Sequence, residues 1–179
     1  GKLYLQTEGV SMGCPLGPIF ADYYMCNLEN KILDDVNNDF KPSVYARYVD
    51  DIFIVSDGNC LQKLKESFEN NSVLKLTFEQ CIDKKLPFLD ILIDCSKGGF
   101  ITSVYRKPTD SGVCLNANSE CPFRYKKSVL IGFLKRAYKV SSNWDLSNLE
   151  IKRIRQILIN NGYSNRFLDD EIKKFLNNV

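Results

Sequence analysis

"ARYVDDIFIV", residues 46–55, decides how the rest of the chain is read. Two adjacent aspartates, Asp50 and Asp51, interrupt a run otherwise rich in Val, Ile, Phe and Tyr. Strand side chains alternate between faces, so a straight strand would drive one of the two carboxylates into the core. An unpaired carboxylate there is costly or changes its protonation state. The pattern therefore predicts two short strands, "SVYARYV" and "IFIVS", folded back on each other with the pair at the tip of a tight hairpin. Aspartate is an ordinary turn residue, and a plain solvated hairpin is the competing explanation. Against it stands the tip itself, which carries two charges and neither Gly nor Asn.

Outward from the hairpin, "GVSMGCPLGP" (9–18) is a loop by its Gly and Pro content. In "IFADYYMCNLENKILDD" (19–35), Phe20, Tyr24, Leu28 and Ile32 recur every four residues, which predicts a helix with one buried stripe. "CLQKLKESFEN" (60–70) places Leu61, Leu64 and Phe68 on one helical face. "LKLTFEQ" (74–80) alternates like a strand, and "LPFLDILID" (86–94) and "FITSVYRK" (100–107) read as further strands around the turn "SKGG". The expected fold class is α+β, an antiparallel sheet with helices on one face.

After the loop "RKPTDSGVCLNANSECP" (106–122) the chain turns helical. "KKSVLIGFLKRAYKV" (126–140) carries Val129, Phe133, Ala137 and Val140 along one side. "SNLE" (147–150) reads as a capping box opening a second helix that ends at Gly162. A third starts near Ser164 with Leu168, Ile172, Phe175 and Leu176 inward. Two parts are expected, 1–110 and 111–179, joined around 110–125.

The 179 residues contain no histidine, which excludes Ser-His-Asp, Cys-His and HExxH chemistry within them. Seven scattered cysteines without a CxxC pair read as reduced thiols and point to an intracellular setting. No apolar run approaches a membrane span, and no signal-peptide pattern opens the chain, so no membrane partner is expected. The formal charge of +2 hides an asymmetry: residues 1–103 carry 10 Lys/Arg against 15 Asp/Glu, and residues 104–179 carry 14 against 7. A basic second part suits a polyanion and an acidic first part suits cations.

Adjacent carboxylates suit Mg²⁺, a hard ion that takes oxygen ligands and substrate phosphates. A pair of such ions supports phosphoryl transfer without histidine, given a further carboxylate from another strand. "QTEGVSMGCPLGP" (6–18) followed by "RYVDD" (47–51) resembles consecutive palm motifs of reverse transcriptases. "LPFLDI" (86–91), "SVYRKPT" (103–109) and "NNGY" (160–163) are more particular. In this order the five motifs resemble the reverse transcriptases of Penelope-like retroelements.

The resemblance implies a partial right-hand polymerase palm over 1–110 and a small helical thumb over 111–179. It implies an RNA-directed DNA polymerase that extends a DNA primer on an RNA template with dNTPs and two Mg²⁺ ions, for which Mn²⁺ could substitute. Asp50 would be a catalytic metal ligand and Asp51 a supporting one. Tyr48 would lie near the primer end, and Gln6, Gly9, Met12, Gly13 and Pro15 would contact template and nucleotide. Tyr105, Arg106 and Lys107 would form the primer grip, while Asp90 in "LPFLD" is expected to be structural. Lys84 or Lys85 would be a general acid for the departing pyrophosphate. Lys126, Lys127, Lys135, Arg136 and Lys139 would follow the phosphates of the duplex.

The same resemblance places another essential aspartate strand upstream of "QTEGVSMG", together with the fingers. Neither is among these residues, and no GIY-YIG endonuclease is either. The chain alone is therefore expected to lack polymerase activity and to work with the rest of a retroelement polyprotein, in the nucleus. The alternative is a catalytically dead remnant that still binds nucleic acid.

Overall fold

The Asp50–Asp51 stretch folds back on itself. Strand β1 (Val44–Tyr48) pairs antiparallel with β2 (Asp51–Val55), Tyr45 opposite Ile54, Arg47 opposite Ile52 and Tyr48 opposite Asp51. The structure is a computed structural model that describes residues 1–5, 7, 9–35, 41–96 and 98–179. Helix α1 (Gly17–Asp35) precedes the hairpin and α2 (Gly58–Asn71) follows it. The Asp57 carboxylate accepts the Cys60 amide at 2.7 Å and so caps α2.

An isolated hairpin is marginal in water, and this one is stabilised by burying a face. Met25, Leu28 and Ile32 of α1 meet Cys60, Leu64 and Phe68 of α2, with Tyr45, Ile52, Ile54 and Leu76 packed against them. The stripe on α1 differs from the expected one, because Phe20 and Tyr24 are exposed. Both patterns share Leu28 and Ile32, and a helix's own periodicity does not say which flank turns inward. Here the inward flank includes Glu29, whose carboxylate meets Tyr45 and Arg47 of β1. "LKLTFEQ" forms no strand, because it pairs with no strand edge among the described residues and alternation alone makes no ladder. Leu76 nevertheless packs inward, and Phe78 lies under the Lys65 ammonium at 5.4 Å.

The expected strand "LPFLDILID" is instead two, β3 (Lys85–Phe88) and β4 (Ile91–Asp94), reversed at Leu89–Asp90 with Phe88 opposite Ile91. β5 (Ile101–Val104) completes a three-stranded antiparallel sheet in the order β3-β4-β5. Helices α3 (Phe123–Val140), α4 (Trp144–Asn160) and α5 (Asn165–Leu176), with the turn between the last two, bury Leu130, Leu134, Ala137, Ile151, Ile154, Leu158, Tyr163 and Leu168. Val129 and Phe133, expected on the inward side of α3 with Ala137, flank that core instead.

α4 begins earlier than "SNLE". Asn143 offers its side-chain oxygen to the Leu146 amide at 3.0 Å, which leaves Ser147 and Glu150 inside the helix on its buried side. Ser147 donates to the Ala137 carbonyl at 3.3 Å. At the other end Gly162 holds φ at 86°, and Ser164 caps α5, both as the sequence predicts.

The chain divides into compact units at Gly1–Glu79 and Gln80–Val179, earlier than the expected joint. Thr102 of β5 explains why. Its hydroxyl donates to the Val140 carbonyl at 2.6 Å, its amide donates to the Ser142 hydroxyl at 2.7 Å, and its carbonyl accepts the Ser142 amide. Composition changes where strands give way to helices, but these hydrogen bonds bind the second sheet to the helices that follow. The described residues thus form a mixed α+β chain of five helices and two small antiparallel sheets. Among them no helix is long and apolar enough to cross a membrane.

Candidate functional site

The first hairpin turns on two residues, Val49 and Asp50. Val49 has φ 58° and Asp50 is not in the positive-φ region, the pattern of a turn whose first central position prefers Gly. A β-branched residue there is an outlier that costs roughly 1–3 kcal/mol and persists only where its surroundings impose it. Strand parity answers the question raised by the two charges. Tyr45, Arg47, Ile52 and Ile54 share the inward face, so Asp51 points the other way beside Tyr48, and Asp50 sits in the turn. Both aspartates are exposed, and neither carboxylate has a hydrogen bond or ion pair to a described residue.

Beneath the turn lies a network centred on Arg47. Its Nε donates to Glu29 Oε1 at 2.7 Å, Nη2 to Asp22 Oδ1 at 2.8 Å and to Cys26 Sγ at 3.3 Å, and Nη1 to the Val49 carbonyl at 2.9 Å. The Arg47 and Glu29 side chains each retain only 11% exposure. Tyr45 donates its hydroxyl to the same Glu29 oxygen at 2.9 Å, and burial followed by that carboxylate pushes the phenol well above its ordinary range. The Asp22 hydrogen bond, with Glu29 and against burial, raises Arg47 further, so its charge is fixed at any working pH.

Asp50 and Asp51 fit Mg²⁺ as adjacent hard-oxygen donors that no protein cation occupies among the described residues. They are two and not three. Among the described residues no group of three His, Cys, Asp or Glu side chains comes together to hold a metal.

Of the other expected contacts in this unit, Gln6 lies outside the described residues. Gly9 and Gly13 have φ of 76° and 88°, values that favour glycine, and Met12 and Pro15 beside them are exposed. Tyr48 is 62% exposed beside the aspartates.

The remaining candidates belong to the second unit. Lys84 sits in a turn at φ 60°, and Lys85 approaches Asp94 at 3.8 Å. A cleft of ≈ 310 Å³ is lined by Leu89, Asp90, Tyr105, Lys107, Thr109 and Arg136, among others. Arg106 also lines this cleft, but its charge is already met by carboxylates. It is bound to Glu150 at 2.6 and 3.0 Å and to Asp110 at 2.9 Å, with its side chain 9% exposed. Burial opposes its charge, but the Glu150 and Asp110 bonds outweigh it and raise its pKa. The Gly112 amide and Arg106 in turn hold Asp110 below the usual carboxylate range.

Arg136 is likewise engaged. Its Nε lies 2.6 Å from Asp90 Oδ2, an ionic contact whose N–H is not directed along the hydrogen-bond line, and Nη2 donates to the Tyr105 carbonyl at 3.2 Å. Lys127 pairs with Glu171 at 2.7 Å. Lys126 lines a second cavity of ≈ 250 Å³ with Phe123, Tyr163 and Phe167. Lys107, Lys135 and Lys139 are exposed and have no carboxylate partner among the described residues. Lys126, half-buried at its cavity, has none either, so four of the expected phosphate contacts are unpaired among the described residues.

A family model described as an animal helix-turn-helix domain matches residues 113–173. The match takes in α3 and α4, the short turn around Gly162 and most of α5. No curated protein and no solved structure matches the chain.

Arg47, Glu29 and Asp22 were not singled out by sequence reasoning. The signal was present, since Arg47 has the inward parity of Tyr45 and Glu29 falls within the Met25–Ile32 stripe. Opposite charges on two faces destined for one core must meet or be very costly.

Proposed function

We infer that the chain is the metal-binding palm hairpin and helical thumb of an RNA-directed DNA polymerase, resembling those of Penelope-like retroelements. The observation that carries this reading is the exposed Asp50–Asp51 pair on a hairpin whose tip holds a valine at φ 58°. Backbone outliers of that kind gather at functional sites, where position matters more than stability. The order of the palm motifs in the sequence supplies the reaction class.

In this reading Asp50 and Asp51 hold divalent ions together with a carboxylate from another strand. Bound Mg²⁺ would activate the primer hydroxyl and stabilise the leaving oxygen. Tyr48 borders the primer end from the same face of the hairpin as Asp51. Lys107, Lys135 and Lys139 bind duplex phosphates, and the helix-turn-helix match supports nucleic-acid contact by the helical end. Arg106 stabilises the fold beneath the grip and leaves the phosphate to its neighbours. A nuclear location goes with the reading.

A second reading, a nucleic-acid-binding remnant without chemistry, draws on the lack of a third carboxylate beside the pair among the described residues. Fluorescence anisotropy of a labelled RNA–DNA template-primer separates the two. The polymerase site predicts that Mg²⁺ or Mn²⁺ tightens binding and that Asp50→Ala abolishes this increment while leaving the metal-free affinity in place. Both readings predict a salt slope that falls when Lys135 and Lys139 are replaced by Gln, by up to ~0.9 for each phosphate left without its lysine. A metal increment that is absent, or indifferent to Asp50, supports the remnant; no binding at low salt refutes both.

A further inference from the structure

We propose that Arg47 is a positioning residue: it holds the Val49 turn in its positive-φ conformation and thereby sets where Asp50 and Asp51 stand. The metal half of this statement rests on the proposed function; the conformational half does not.

The turn does not explain itself. Glycine would adopt φ 58° freely, but valine must be held there. The hold comes from within β1, two residues before the turn, where Arg47 Nη1 reaches the Val49 carbonyl at 2.9 Å. That carbonyl belongs to the peptide joining Val49 to Asp50, so fixing it fixes the plane from which Asp50 departs. The guanidinium is itself immobilised on α1 through Glu29 at 2.7 Å and Asp22 at 2.8 Å. Four partners on three nitrogens use the branched, planar donor set of arginine, and a lysine ammonium cannot span them.

Charge points the same way. A bare cation so near the tip would repel a metal ion or capture one of the aspartates. Arg47 does neither, because Glu29 and Asp22 already meet its charge and Asp50 and Asp51 have no ion pair among the described residues. The side chain thus shapes the site without occupying it.

The test compares the isotope-labelled whole chain as wild type, Arg47→Lys, Val49→Gly and the double variant. Lysine keeps a cation beside Glu29, so folding survives the change. At positive φ a residue's amide and Cα protons are at their closest, and Val49 gives an intense intraresidue cross-peak in a NOESY spectrum. We expect that cross-peak to weaken in Arg47→Lys. In the Val49→Gly background the Asp50 and Asp51 amide shifts should no longer respond to Arg47→Lys, because glycine needs no restraint there.

On the same samples Mn²⁺ is titrated and read from relaxation of the Asp50 and Asp51 amides. Arg47→Lys should weaken it about tenfold, a modest share of what releasing a strained residue allows, and Val49→Gly should restore it. An undiminished Val49 cross-peak in Arg47→Lys overturns the proposal, as does a metal loss that Val49→Gly fails to restore. If the wild type takes up no Mn²⁺, the metal-site reading falls, and the cross-peaks still decide the role of Arg47.

Discussion

Two hairpins in this chain have the same tip and opposite fates. Each reverses on two residues, an apolar residue at positive φ followed by an aspartate: Val49 at 58° before Asp50, and Leu89 at 54° before Asp90. Each has an arginine beside it, Arg47 in one unit and Arg136 in the other. Arg136 lies 2.6 Å from the Asp90 carboxylate and also reaches main-chain oxygens, so the charge at that tip is satisfied. Arg47 instead grips the Val49 carbonyl, has its own charge met by Glu29 and Asp22, and leaves the Asp50 carboxylate to solvent. The same turn with the cation withdrawn from the tip carboxylate and kept on the main chain changes an aspartate from a structural acceptor into a candidate metal ligand. Local sequence alone, "VDD" against "LDI", does not make that distinction; the arginine does.

The two tips should differ most at their arginines. Arg47→Ala should destabilise the first unit by about 3–5 kcal/mol, because it strands the Glu29 carboxylate in a buried position. Arg136→Ala should cost only about 1 kcal/mol, since Asp90 is 50% exposed and water can replace the partner. Urea unfolding of each variant measures both, and equal losses would show that the two tips are held alike.

Glycine at the strained positions tests the backbone of each tip. Val49→Gly and Leu89→Gly should each stabilise by ~1 kcal/mol, the strain relieved less the entropy glycine adds to the unfolded chain. A destabilisation at either position would mean that the side chains of Val49 or Leu89 contribute more than their backbone costs.

The smallest expected effect concerns a carboxylate that cations do claim. Hydrogen bonds from Lys127 and then Lys174 hold Glu171 below the ordinary glutamate value of 4.5. Its folded pKa is depressed, so its contribution to stability is present above that ordinary value and is lost as pH falls through the folded one. The second unit should therefore weaken below about pH 4.5 and regain stability in Glu171→Gln relative to wild type at the acid end. A profile with the same acid slope in both proteins would contradict this.

Much of this was legible in the residues, for identifiable reasons. Asp50 and Asp51 could not both belong to a straight strand, so the hairpin followed from alternation alone. Gly162 and Ser164 marked helix ends because positive φ and a capping oxygen are local requirements. What failed depended on neighbours. Leu89–Asp90 carries no Gly or Asn, so its turn was invisible within an apolar run, and α1 and α3 were placed with their buried faces slightly rotated. Glu150 matches a capping box in the local sequence, because its true partner, Arg106, is distant in sequence. On the site, the aspartates were evident and the unencumbered lysines were not separable from the paired ones, Lys127 and Lys135 looking alike until Glu171 is placed beside the first.

The most direct measurement is Mn²⁺ binding, followed by the EPR signal of the free ion, for wild type, Asp50→Ala and Asp90→Ala side by side. Wild type should bind Mn²⁺, Asp50→Ala should lose it and Asp90→Ala should retain it. Loss in Asp90→Ala, or binding indifferent to Asp50, would contradict a metal site at Asp50.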